Sequence, residues 1–245
     1  MSETRTLRID IWSDVMCPWC LVGWGSLQKG LAQLEGEIEA DIRWHAFELN
    51  PDMAPEGEER TAHIARKYGT TTEQSKAVQG RMREAADNAG VSLDYEGGEP
   101  EPTGMMWNTF AAHKLLTWAG EEHGPVRQTA LKLALFRAHF NQRRALGDEA
   151  VLLDIAEEEG FERDAAAAAL ASKRCCSRSS IRLTCFSSRI LASTAAFFSA
   201  INNAPCSQSM RSLRSASSTS EISASENPSS LSWRTIATRA TAFSG

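Results

Sequence analysis

Polar and apolar residues alternate along Thr6-Leu7-Arg8-Ile9-Asp10-Ile11-Trp12. That period predicts a half-buried strand over 6–12. Ser13-Asp14 turns the chain into Cys17-Pro18-Trp19-Cys20. Leu21, Trp24, Leu27, Leu31 and Leu34 then recur at helical spacing, and Gly36 stands where that helix would stop. Residues 41–49 return to a strand pattern, with Ile42, Trp44 and Phe47 as inward candidates. Residues 1–51 therefore predict one β-α-β unit, whose crossover is right-handed if the strands are parallel.

After Pro51 the period becomes helical. A helix over 58–68 is closed by Gly69. Thr71-Thr72-Glu73-Gln74 has the form of a capping box, in which Thr71 and Gln74 each satisfy the other's backbone N–H. The helix it opens runs to Ala89, with Gly90 as a left-handed stop. Residues 94–103 read as an acidic loop. A helix over 105–119 sets Trp107, Phe110, Ala111, Leu115 and Trp118 on one side, more in keeping with a helix–helix core than with a groove. Pro125 suits the first turn of the next helix, reaching Phe140. Asp148 can cap a helix ending at Gly160, and the alanine run of 163–170 begins one more. His113 and His139 fall on predicted helices, in surface or core positions. No strand is predicted between 52 and 170, so 52–171 reads as an all-helical block.

Composition changes the picture near residue 171. Residues 1–170 hold 17 Lys and Arg against 29 Asp and Glu, whereas 171–245 hold 9 against 2. Serine occurs 5 times before the break and 21 times after it, and glycine 15 times before and once after. A segment so poor in turn signals and apolar clusters does not offset the entropy of ordering. The expectation for 172–245 is a disordered tail, a shifted reading frame or an unrelated joined segment. Its Arg/Ser composition lacks interleaved aromatics, so no nucleic-acid partner is expected, and Cys175, Cys176, Cys185 and Cys206 form no sensible framework. No apolar run approaches the ~18 residues of a membrane span, and residues 1–8 lack the apolar core of a signal peptide. Both observations point to a cytoplasmic location with no membrane partner.

The chemistry-bearing motif is Cys17-Pro18-Trp19-Cys20, between a strand and a helix. Free N–H groups and the positive end of the helix dipole favour a thiolate at such a position. Cys17 is then the exposed nucleophile and Cys20, one turn inward, the resolving thiol. Pro18 fits the first helical position, and Trp19 offers an apolar surface beside the sulfur. Half of a zinc site is the first competing reading, but Cys175-Cys176 has the wrong spacing for the other half and the acidic part has no convincing His pair. A purely structural disulfide is the second, and it is uncommon in the cytosol. A C-x-x-C beside a βαβ pattern favours redox work, with no metal and no organic cofactor.

The stretch Ile9-Asp10-Ile11-Trp12-Ser13-Asp14-Val15-Met16-Cys17-Pro18-Trp19-Cys20 resembles the active-site start of DsbA-family thioredoxin-like oxidoreductases, in particular the FrnE-like branch. That branch is related to 2-hydroxychromene-2-carboxylate isomerases and kappa-class glutathione transferases. Phe47-Glu48-Leu49-Asn50-Pro51, Asn108-Thr109-Phe110-Ala111-Ala112-His113 and Leu135-Phe136-Arg137-Ala138-His139-Phe140 extend the resemblance over about residues 5–170. It implies an α/β fold with a thioredoxin-like βαβ start (1–51) and a large helical insertion (52–171). The second half of the thioredoxin fold is unrecognisable in 172–245, as if missing or replaced. It also implies thiol–disulfide exchange at Cys17 and Cys20, with protein or small-molecule thiols as partners, glutathione among them. Cys17, where the isomerase and transferase relatives typically have Ser, favours the oxidoreductase. A glutathione-dependent isomerase or transferase and an inactive truncated or frame-shifted product are the alternatives. Oligomeric state is not legible in the letters.

Overall fold

The computed structural model describes residues 4–172 of the 245. The expectations for the serine-rich tail and its four cysteines lie outside the described residues.

The chain starts as the alternation predicts. Strand β1 (Arg5–Ser13) is followed by helix α1 (Pro18–Ala32) and strand β2 (Ile38–Ala46). β1 and β2 are parallel, in register from Arg5 opposite Ile38 to Ser13 opposite Ala46. β2 begins and ends three residues earlier than its apolar pattern suggests. The ladder with β1 sets its limits, and the residues beyond it turn away: the Leu49 N–H donates to the Asp14 carboxylate at 2.7 Å instead of to a strand.

The block after Pro51 is mostly helical, with one correction. Two-residue strands β3 (Glu58–Glu59) and β4 (Met105–Met106) pair antiparallel, where no strand was expected. A ladder this short leaves no readable period in a sequence. Gly57 permits it: its φ is 74°, and a Cβ there would stand 2.6 Å from the Met106 carbonyl oxygen. Helix α2 (Arg60–Tyr68) accordingly starts two residues late, capped by the Glu59 carboxylate, which accepts the Thr61 and Ala62 N–H groups at 2.8 and 2.7 Å. Helix α3 (Thr72–Ala89) has the predicted reciprocal capping box at Thr71 and Gln74, and Gly90 at φ 76°.

Helix α4 (Phe110–Phe140) is two arms joined at Gly124, whose φ of 82° and ψ of 173° break the helix before Pro125 restarts it. Helices α5 (Glu149–Glu158) and α6 (Arg163–Ala171) complete the described fold, with Asp148 capping α5 by accepting the Ala150 N–H.

The largest apolar core lies among α4, α5 and α6 and includes Leu115, Leu131, Leu135, Leu152 and Ile155. Val15 and Met16, just before the first cysteine, are buried in that same core. A second cluster joins the βαβ unit to the helical block, with Leu21 of α1, Trp44 of β2 and Phe136 and Phe140 of α4. A third sets Val22 of α1 against Ala86 and Ala89 of α3. Gly25 allows that approach, since a Cβ there would lie 2.7 Å from the Ala89 oxygen.

One side chain does the work of a strand. The Trp44 N–H donates to Gln128 Oε1 at 3.0 Å, and Gln128 Nε2 donates to the Trp44 carbonyl at 2.9 Å and the Leu116 carbonyl at 3.1 Å. Gly120 leaves room for the amide, because a Cβ there would sit 2.6 Å from Nε2. Replacing Gln128 with Leu keeps the volume and strands buried backbone groups of Trp44. Gln128→Leu is expected to lower unfolding free energy by roughly 2–4 kcal/mol, read from urea denaturation; a loss below about 0.5 kcal/mol would contradict this role.

Candidate active site

The cysteine motif sits where β1 hands over to α1. Cys17 is the N-cap residue, with φ −88° and ψ 108°, and Pro18 occupies the first turn, where a missing N–H leaves no bond unmade. The Cys17 carbonyl accepts the Cys20 N–H at 3.0 Å, and the Cys17 N–H donates to the Asp14 carbonyl at 3.3 Å. Both thiols are free and half-buried. Trp19 is half-buried against Val22, Ala86 and Ala89, so much of its ring is used in the α1–α3 contact.

The two thiols are hydrogen-bonded to each other. That bond pushes Cys20 down to about 7, with further help from the Ser13 hydroxyl and Lys132. The same bond and burial hold the Cys17 thiol well above its ordinary range. The two thiols are thus pushed in opposite directions. The cause is local. Cys20 lies one turn inside α1, facing the end of β1 and a buried ammonium that position alone does not reveal.

That ammonium belongs to Lys132 of α4, 1% exposed. Its Nζ donates to the Ser13 carbonyl at 3.2 Å and lies 4.6 Å from the Phe136 ring centre and 5.3 Å from that of Trp44. Burial pushes Lys132 down to about 8, opposed by the charges of Cys20, Asp14 and Cys17. Asp14 is also 1% exposed. Its Oδ1 accepts the Met16 N–H at 3.2 Å, its Oδ2 accepts the Leu49 N–H, and His113 Nε2 stands 3.6 Å from Oδ1. Burial alone would raise the Asp14 carboxyl; His113, the Leu49 N–H and Lys132 outweigh it and hold the group below its ordinary range.

Sequence reading missed Asp14, taken for a turn residue, and Lys132, hidden in Leu131-Lys132-Leu133-Ala134-Leu135-Phe136. A signal was present: Lys132 is one helical turn from Gln128 and from Leu135 and Phe136, on the stripe that faces the core. His113 and His139, left between core and surface, are both buried. Trp107 is half-buried against the main core, and its backbone N–H meets Met16 Sδ at 3.0 Å. Among the described residues no cluster of His, Cys, Asp or Glu is arranged to hold a metal ion, and no helix is long and apolar enough to cross a membrane.

The DSBA-like thioredoxin domain family matches residues 8–178, which include every residue of this site. The chain belongs to that family. Members of the DSBA-like family are oxidoreductases with a thioredoxin-like fold of mixed helices and strands, the architecture described above. The chain is similar to a probable DsbA oxidoreductase from Streptomyces coelicolor, at 29% identity and a TM-score of 0.59, covering 69% of each chain. It is 25% identical over 160 residues to the uncharacterised protein YwbO of Bacillus subtilis, covering 64% of this chain and 68% of that one. A weaker likeness, 18% identity and a TM-score of 0.44 over 67% of this chain and 71% of the other, links it to the cytosolic disulfide reductase DsbM of Pseudomonas aeruginosa.

Burial also creates a pH dependence. His139, 7% exposed, is pushed down to about 4 from its ordinary 6.5, chiefly by burial. A group whose folded value is depressed contributes stability that is complete above its unfolded value and lost as pH falls through the folded one. Unfolding free energy is expected to drop by roughly 3 kcal/mol between pH 6.5 and 4 through this residue. Denaturation midpoints of wild type and His139→Leu across that range check it: the variant is expected to show the shallower slope, and equal slopes would refute the assignment.

Proposed function

We propose that the chain is a thiol–disulfide oxidoreductase in which Cys17 and Cys20 exchange electrons with protein or small-molecule thiols and disulfides. The observation that supports this reading is the half-buried sulfur pair at the N-terminus of α1, hydrogen-bonded to each other, with one member brought down to about 7. A thiol that ionises near ambient pH is both a competent nucleophile and a good leaving group.

In the oxidised form the pair is a disulfide. A substrate thiolate attacks Cys17 Sγ, the Cys17–Cys20 bond breaks, and Cys20 leaves as a thiolate beside Ser13 and Lys132. A second substrate thiolate attacks the substrate sulfur of the mixed disulfide. Oxidised substrate departs and Cys17 is released, so two electrons enter the pair, which takes up a proton. In the reducing direction Cys17 attacks a substrate disulfide and Cys20 resolves the intermediate. A lowered Cys20 suits the leaving group of the oxidising direction; in the reducing direction Cys17 must lose its own proton before it attacks. Pro18 fixes the turn, and Trp19 braces α1 on α3. The βαβ unit of 1–51 carries the sulfurs and Asp14, and the helical block of 52–171 supplies the buried ammonium of Lys132. No step calls for a metal or an organic cofactor.

Cys17→Ser is expected to bring exchange with glutathione disulfide and reduction of insulin to background. Cys20→Ser is expected to accumulate a mixed disulfide on Cys17, read as an added substrate mass. Full insulin reduction by Cys17→Ser would reject the proposal. Turnover of a small aromatic substrate that needs glutathione and survives loss of Cys20 would favour an isomerase or transferase instead.

A further inference from the structure

A buried lysine with no carboxylate within ion-pair distance calls for a reason. Taking an ammonium out of water costs several kcal/mol unless close charges and hydrogen bonds compensate it. Lys132 has three donor protons, yet among the described residues it makes one hydrogen bond, to the Ser13 carbonyl, and no ion pair within 4 Å. A leucine or methionine would fill the same place between Trp44 and Phe136. Packing therefore does not account for the charge.

The surroundings of Nζ do. Its hydrogen bond ends on the Ser13 carbonyl at the end of β1, and it lies at the rings of Trp44 and Phe136, in the cluster against which Cys20 also packs. The charges that act on it are Cys20, Asp14 and Cys17, from α1 and the turn before it. α4 itself adds His113, against Asp14, and His139; β2 contributes the Trp44 ring. Of these negative groups Asp14 is permanent, because its carboxyl is held below the ordinary range. The thiolate is conditional: it exists when the pair is reduced and vanishes when the disulfide forms. A buried positive charge near a permanent and a conditional negative one favours the state in which both are present.

We propose that Lys132 is a positioning residue of the sulfur centre, a buried counter-charge delivered by α4 that stabilises the thiolate of the reduced pair and so makes the Cys17–Cys20 disulfide easier to reduce. This inference rests on the thiol–disulfide reading above. The equilibrium concerned is two-electron: disulfide plus two glutathione thiols gives the reduced pair plus glutathione disulfide. Removing the charge destabilises the reduced side alone, because the disulfide carries no charge for Lys132 to meet.

The test uses the full chain and two readouts: the pH midpoint of alkylation by iodoacetamide, and the equilibrium constant with glutathione at pH 7.5. Lys132→Met is expected to move the midpoint up by about one unit and to lower the equilibrium constant about threefold, which is roughly 15 mV for this couple. A folded Lys132→Met with wild-type midpoint and equilibrium overturns the proposal. If that variant does not fold, because Asp14 is left uncompensated, D14N/K132M is compared with D14N. The same upward shift is expected on the neutral background, and no shift again overturns it. Failure of the wild type to exchange with glutathione or protein disulfides would instead strike the thiol–disulfide reading, while alkylation still reports whether Lys132 acts on the sulfurs.

Discussion

A carboxylate almost sealed from water holds the centre of this protein together. Asp14 lies in the turn between β1 and α1, where burial works against its charge. The structure meets that penalty from three directions: the Met16 N–H from its own turn, the Leu49 N–H from beyond β2, and His113 from α4. Each contact also ties a segment to the turn that precedes Cys17. Because a buried charge tolerates no loose partner, the turn is fixed, and so is the point at which α1 begins. Val15 and Met16, wholly inside the main core, anchor the same turn from its apolar side.

The βαβ unit depends on the helical block for more than cover. Two strands alone make a marginal sheet in water. Here α4 packs along β2, Gln128 takes up the Trp44 backbone as a neighbouring strand would, and Trp24, Trp44 and Phe136 bridge the two parts, with ring centres 5.3 and 6.3 Å apart. The other face of the sheet is less covered: Trp12 remains 49% exposed and stacks on His45 at 4.5 Å. Stability and chemistry thus converge on one helix, since the second arm of α4 carries Gln128 for the sheet and Lys132 for the sulfurs.

The charge arrangement also explains how two neighbouring cysteines come to differ. Both sit in the first turn of α1, so the helix dipole alone does not separate them strongly. Cys20 gains the Ser13 hydroxyl and the Lys132 field, whereas Cys17 donates its proton to Cys20 and is half-buried without equivalent support.

Local signals in the sequence determined the β-α-β start, the capping box at Thr71 and Gln74, the left-handed stops at Gly69 and Gly90, the restart at Pro125 and the paired cysteines at a strand-to-helix junction. Each is a matter of period, backbone freedom or a bond spanning a few residues, so neighbouring letters suffice. Tertiary structure alone decided the β3–β4 ladder, the limits of β2, the burial of Asp14 and Lys132, and the unlike surroundings of the two sulfurs. Those features come from groups brought together across long spans of chain, 119 residues between Ser13 and Lys132 and 84 between Trp44 and Gln128. Desolvation and charge in a packed interior depend on distance in space, which no local pattern of residues encodes.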